Sequence, residues 1–458
     1  MTRPSRSTRP PRERALVCGV RGVPGADGES DLEEARGLVA AAEADVVGEN
    51  ILQRKQHADP ATLFGHGKVQ EILAEVTRVH PDLVVVDNDL TPAQARNLEK
   101  AWGVRVVDRS ELILDIFARR AKTRQARLQV ELAQNEYLAP RLRRMWTHLE
   151  RMEGAIGTRG PGETQLETDK RLLKKRLQDL RDELKEIEAR KQREVRSRAD
   201  QFTVGLVGYT NAGKSTLLNR LTGANEWVAD MLFATLDTRT RQWRLPDGRM
   251  VLLSDTVGFL QRLPHHLVAS FHATLEETLQ ADLLLHVVDA SHPDAPAQMA
   301  AVESVLGELS RKVHAGLLVF NKIDRVRDPI GLQFLRHDRT QEAVYVSAVT
   351  GEGIGDLERA VMRKLDARSF VVDVYVPLHD GKLDAHVRRL CTPLAEELLE
   401  EQGERRVRVR VTEGALGMLR RAAGKEARIA IIEPPRERSV STDDERETDD
   451  ETRRIAAD

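Results

Sequence analysis

The sequence predicts an α/β multidomain protein, and three observations predict it. Short apolar runs alternate with segments of helical period over residues 15–109, and the same alternation returns over 201–367. Between these blocks, residues 110–198 read as almost wholly helical. Beyond them, 370–433 holds three strand-like runs separated by helical stretches. The expected architecture is an N-terminal parallel α/β domain, a helical hairpin (coiled-coil) subdomain, a second and larger α/β domain, and a small C-terminal α+β domain. A chain of 458 residues has room for about three domains or a few more at ~150 residues each.

In the first block, residues 15–20, 45–52, 83–87 and 104–107 read as strands, and 32–42, 68–79 and 92–102 as helices. Thr91 is the expected cap of the last helix, with Pro92 at its first position, where a missing N–H costs nothing. In the second block, Leu173, Leu177, Leu180, Leu184 and Ile187 are spaced four, three, four and three, which makes one seam of a helical pair. A glycine-rich break at 154–162 interrupts the helices and carries Thr158 and Arg159. The last block gives strands at 371–376, 406–411 and 428–432. The ends, 1–14 (basic) and 434–458 (acidic), have too few apolar residues to form a core and are expected to be disordered.

Composition excludes several classes. Aromatic residues are 4% of the chain, against an aromatic-lined groove for single strands. Two cysteines, Cys18 and Cys391, cannot build a disulfide framework or a multi-cysteine zinc site. The longest apolar runs, around Leu283 and Val84, fall far short of a membrane span, and the N-terminus lacks the apolar stretch of a signal peptide. A soluble cytoplasmic protein is expected, with peripheral membrane association as a further location and a monomer as the oligomeric state. The net charge of −2 hides an asymmetry: residues 118–198 hold 22 Lys/Arg against 13 Asp/Glu, so the rest of the chain carries −11. A basic segment in an acidic protein suits a polyanionic partner, and equally a solvated helix face.

The strongest motif follows a short apolar strand at 204–207. Gly208, Tyr209, Thr210, Asn211, Ala212, Gly213, Lys214 and Ser215 match the phosphate-loop pattern, and a helical run comes next. Backbone N–H groups and the helix N-terminus face the phosphates, Lys214 reaches the β and γ oxygens, and the Ser215 hydroxyl is the expected Mg²⁺ ligand. Asp255, Thr256, Val257 and Gly258 stand at the end of a second strand. There Asp255 can hold the magnesium through water and the Gly258 N–H can sense the γ-phosphate. Asn321, Lys322, Ile323 and Asp324 follow a third strand. One carboxylate at Asp324 accepts both N1–H and the 2-amino group of guanine, and adenine would leave it unpaired. Ser347, Ala348 and Val349 close the set, with a backbone N–H for guanine O6. The first switch belongs at Phe233, Ala234, Thr235, Leu236 and Asp237, with Thr235 as second Mg²⁺ ligand and Thr238 in reserve. Lys214, Thr235 and Gly258 are the expected catalytic group of this P-loop GTPase domain.

Many GTPases place a glutamine directly after Asp-x-x-Gly to orient the attacking water; Phe259 stands there instead. A phenyl ring cannot hold water, so either intrinsic hydrolysis is slow or another group positions the nucleophile. Asn211 suits recruitment of a monovalent cation, K⁺, and suits equally a role in fixing the loop.

With these motifs, the run Gly157-Thr158-Arg159-Gly160-Pro161-Gly162-Glu163-Thr164-Gln165-Leu166-Glu167 resembles the signature of the HflX GTPases. The segments at 64–68, 87–92, 115–118 and 128–134 agree with it, and the likeness runs over about 15–347. Ala155 departs from it, standing where a glycine is usual. The resemblance implies a bacterial translation factor that binds the large (50S) ribosomal subunit and its rRNA and splits or rescues stalled ribosomes. It implies that the helical pair and glycine loop reach toward the peptidyl-transferase centre and that the ribosome stimulates hydrolysis. Arg143, Arg144 and Arg159 are candidate rRNA contacts by position alone, and suit a solvent-facing role equally. Two other readings compete: an ATP-dependent RNA-remodelling enzyme regulated by the GTPase domain, and a protein-interaction switch without RNA.

Overall fold

The computed structural model describes residues 12–22, 32–55, 57–145, 161–197, 201–224, 232–233, 239–255, 258–260, 281–309, 316–327, 335–336, 341–423 and 428–435. Most of both tails, the loop residues 154–160 and the switch residues 234–238 lie outside them.

The first sheet grows from β1 (Arg14–Arg21), whose alternate residues divide between two cores. Ala15 and Val17 join α1 (Glu33–Ala41), while Leu16, Cys18 and Val20 join α2 (His66–Val79) and α3 (Pro92–Trp102). The segment read as one strand over 45–52 is two short ones, β2 (Asp45–Val46) and β3 (Ile51–Arg54), both parallel to β1. Gly48 at φ +73° makes the break between them. On the other side β4 (Leu83–Val86) pairs with β1 and β5 (Arg105–Asp108) pairs with β4, again parallel. The Thr91 cap forms as expected. Its hydroxyl accepts from the Gln94 N–H at 3.2 Å, and Gln94 Oε1 accepts from the Thr91 N–H at 3.0 Å. Such a reciprocal cap stabilises by about 1 kcal/mol.

Asp108 closes β5 and caps α4 (Arg109–Arg120), which packs under the first sheet beside α1. The helical pair is α5 (Arg124–Met145) and α6 (Pro161–Ser197). The predicted seam meets α5: Leu180 and Leu184 are buried against Leu128 and Leu132, with Leu177 and Ile187 beside them. Arg176–Glu131 (2.6 Å), Arg181–Glu136 (2.8 Å) and Arg124–Glu183 (3.0 Å) flank this seam. At these exposures the seam, not the ion pairs, holds the two helices together.

The second α/β unit orders its six strands β11-β10-β9-β6-β8-β7. These are β6 (Thr203–Gly208), β7 (Arg239–Arg244), β8 (Met250–Asp255), β9 (Leu283–Asp289), β10 (Leu317–Asn321) and β11 (Ala343–Tyr345). Only the β7–β8 pair is antiparallel among them. Helices α7 (Lys214–Thr222) and α9 (Ile354–Ala367) pack on one face, and α8 (Ala295–Leu309) on the other.

The C-terminal unit runs β12 (Phe370–Pro377), α10 (Gly381–Leu390), β13 (Thr392–Leu399), β14 (Glu404–Val411), α11 (Glu413–Ala423) and β15 (Ile429–Glu433). Its antiparallel sheet has the order β13-β14-β12-β15. The segment of β13, Thr-Pro-Leu-Ala-Glu-Glu-Leu-Leu, is read from sequence as part of a helical stretch, because leucine, alanine and glutamate favour helices. It is an edge strand whose register is set by β14.

Candidate nucleotide-binding site

Strand β6 ends at Gly208, and the chain turns through the loop into α7 with Gly213 at φ +90°. A Cβ at Gly213 would lie 2.3 Å from Asn321 Nδ2, so the close approach of the two loops depends on glycine there. The loop is braced from outside: Thr210 N–H donates to Phe259 O at 2.7 Å, and Phe259 N–H donates to Gly208 O at 3.1 Å. Gly258 sits so close that a Cβ there would be 2.7 Å from Thr210 Cα. The strand end carrying Asp255 and Gly258 is thereby locked onto the phosphate loop. Ala212 is buried beneath it, while Asn211 is exposed at φ +59°.

Lys214 folds back over its own loop. Its Nζ donates to Gly208 O at 3.0 Å and to Tyr209 O at 2.8 Å. Burial pushes its ammonium down to about 8, against the opposing pull of Asp255. A triphosphate favours the charged form, so above pH 8 binding must take up a proton. GTP affinity is therefore expected to fall about tenfold between pH 7.5 and pH 9. A flat profile in a titration over that range contradicts the assignment of Lys214 to the phosphates.

Ser215 Oγ donates to Asp255 Oδ2 at 2.7 Å. A hydroxyl and a carboxylate brought together beside the loop form a hard-oxygen donor set that fits Mg²⁺. At the other end, Asn321 joins two loops: Nδ2 donates to Ala212 O at 2.9 Å, and Oδ1 accepts from the Ala348 N–H at 3.0 Å. Ile323 N–H donates to Val346 O, and Ser347 is held by its neighbours through Glu352 O and the Thr350 N–H. Lys322, at φ +62°, pairs with Asp289 at 2.7 Å. Burial would raise the Asp289 carboxyl, but this pair and Ser291 hold it below its usual range. Asp324 and Val349 are exposed beside this frame, with Asp324 on a single 3₁₀ turn. The structure thus gathers Gly208 to Ser215, Asp255, Gly258, Asn321 to Asp324 and Ser347 to Val349 at one edge of the sheet. Ala234, Thr235, Leu236, Asp237, Thr256 and Val257 lie outside the described residues.

Two aromatic side chains behave in ways the local sequence does not announce. Phe259, in the place of the usual glutamine, is 2% exposed and belongs to the core shared with the N-terminal domain. Phe233 is buried as well, in the left-handed region at φ +55°, with its ring 4.6 Å edge-on from Phe117 of α4. Its N–H donates to Thr210 Oγ1 at 3.0 Å. The Tyr209 hydroxyl meets Glu34 of α1, and Glu34 also takes Arg109. Arg109 pairs with buried Asp87 at 2.5 Å, and Asp87 pairs with Arg21 at 2.5 Å. These carboxylates outweigh the burial that would lower the Arg109 guanidinium and raise it instead. The phosphate loop is therefore tied by a side chain to a buried charge network in the first domain. A single acidic residue at Glu34 carries no motif, so only the long-range fold reveals the tie.

The chain is 44% identical to GTPase HflX of Escherichia coli (strain K12) over 389 residues, covering 83% of this chain and 89% of that protein. It belongs to the HflX family of GTPases. GTPase HflX of Magnetococcus marinus is 48% identical, covering 71% of this chain and 76% of its own. That of Caldanaerobacter subterraneus subsp. tengcongensis is 43% identical, covering 80% and 84%. Family models agree along the chain: "GTP-binding GTPase N-terminal" over 29–118, "GTP-binding GTPase Middle Region" over 120–198, and "50S ribosome-binding GTPase" over 203–322. As a member of that family the chain binds GTP and GDP and hydrolyses GTP. Among the described residues no helix is long and apolar enough to cross a membrane.

Proposed function

We propose that this GTPase docks on the large ribosomal subunit through its helical pair and uses its GTP cycle to split or rescue stalled ribosomes. The carrying observation is the charge surplus of residues 118–198, a segment that includes α5 and α6, with Arg171, Lys174, Lys175 and Lys185 exposed on α6. Lysine and arginine neutralising rRNA phosphates release counterions and make binding steeply salt-dependent. The family model for the GTPase block, named for 50S ribosome binding, supports the same partner.

In this reading the residues divide the work along the nucleotide. Lys214 leaves the carbonyls of Gly208 and Tyr209 to meet the β and γ oxygens, and the Gly258 N–H meets the γ-phosphate. Asp324 accepts the two guanine donors while Asn321 and Ala348 fix the pocket around the base. Ser215 and Thr235 are the proposed ligands of Mg²⁺, which when bound neutralises charge building on the transferred phosphoryl group. Phe259 is committed to packing, so the water must be positioned by another group. Order imposed by the ribosome and a K⁺ held near Asn211 are the two supports we assign to that task.

The experiment is cosedimentation with purified large subunits, together with hydrolysis rates in KCl and in NaCl. Retention should be stronger with a non-hydrolysable GTP analogue than with GDP. Six phosphate contacts would weaken affinity about a thousandfold between 50 and 200 mM salt. Equal retention with both nucleotides, or retention indifferent to salt, overturns the proposal.

A further inference from the structure

The C-terminal sheet is packed on one face only by the helices of its own unit. Val372, Val374, Val376, Val407, Val409 and Val411 meet α10 and α11. The alternate residues of the two central strands point the other way and are of different chemistry: Asp373 and Tyr375 on β12, and Arg406, Arg408 and Arg410 on β14. The Arg428 guanidinium lies 4.5 Å over the Tyr375 ring, and Arg408 grips Asp373 with both arms at 2.8 and 3.0 Å. Each such pair holds a planar guanidinium on the face turned away from α10 and α11.

Net charge on this face is close to zero, because Arg406 meets Glu397 (2.5 Å), Arg410 meets Asp366 (2.6 Å) and Arg428 meets Glu404 (3.3 Å). A compensated surface of planes is a poor trap for a phosphate backbone and a good one for unstacked bases. Glu397, 55% exposed on the same face, offers an acceptor that a 2′-hydroxyl can use and DNA cannot. At the end of the face marked by Arg410, a cavity of about 330 Å³ opens against α9. Arg359 and Arg363 line it with side chains 62% and 61% exposed, each in a surface ion pair that exchanges readily. Leu394 and Met362 supply its apolar side.

We propose that this face and the cavity at its edge form a platform for single-stranded RNA. Unpaired bases stack on the Tyr375–Arg428 and Arg408 planes, and a backbone phosphate enters between Arg359 and Arg363. The inference does not depend on ribosome docking through the helical pair. It is tested on the full chain with GDP, by fluorescence anisotropy of a labelled eight-nucleotide single-stranded RNA of mixed sequence. Arg428→Ala and Arg363→Ala, both at exposed positions, should each weaken binding by about tenfold and leave GTP hydrolysis unchanged. Tyr375→Phe should retain it. A log–log salt slope near 1 is expected, far shallower than that of the helical pair. Crosslinks from 4-thiouridine should fall in residues 370–433. The proposal is overturned if duplex RNA or DNA of the same sequence binds as well, or if polyglutamate competes equally. It is overturned too if both arginine variants bind normally, or if the crosslinks map to 118–198.

Discussion

An Asp324→Asn variant is expected to lose GTP affinity by a factor of about 10²–10⁴ and to gain xanthosine triphosphate in its place. The carboxylate accepts two hydrogen bonds from guanine, each charge-assisted and worth about 1.5–3 kcal/mol. An amide offers one acceptor and one donor, and its donor meets the guanine 2-amino group head-on. Xanthine carries an oxygen at that position, which the amide donor satisfies. Asp324 is exposed on a short turn, so the change should not disturb folding. Competition binding of the two nucleotides decides the matter, and undiminished GTP affinity in the variant would remove Asp324 from the base site.

Arg109→Ala should cost about 3–5 kcal/mol of stability. The side chain is 2% exposed and stands between Asp87 and Glu34, so its removal leaves buried carboxylate charge with half its compensation. Removing Asp87 as well should not recover the lost stability, since Arg21 and Glu34 then stand without these partners. Denaturant midpoints of the single and double variants measure the difference. A loss below 1 kcal/mol in the single variant would mean that the network is better hydrated than its burial indicates.

The phosphate loop, the strand ends and the leucine seam are legible in the sequence because each is specified within a few residues. Gly208 to Ser215 carries its own turn chemistry, and the period of Leu177, Leu180 and Leu184 selects one helix face whatever the partner. What stays hidden is decided across distance. Strand β13 has helix-favouring residues and owes its conformation to pairing with β14. The break at Gly48 divides a run that alternation alone reads as continuous. Phe233 and Phe259 read as switch residues by position, and their rings are claimed by helices more than a hundred residues upstream. Glu34 becomes part of the nucleotide site's surroundings only when α1 is laid against the loop.

That shared core bears on how the molecule can be divided. Tyr209, Phe233, Phe259 and Leu260 are filled in on one side by α1 and α4. A GTPase block cut free at residue 200 would carry those rings into water as a greasy scar next to its own catalytic loop. It would not be a miniature of the parent molecule. Its switches would start from a different resting shape, and any rate measured on it would describe that shape.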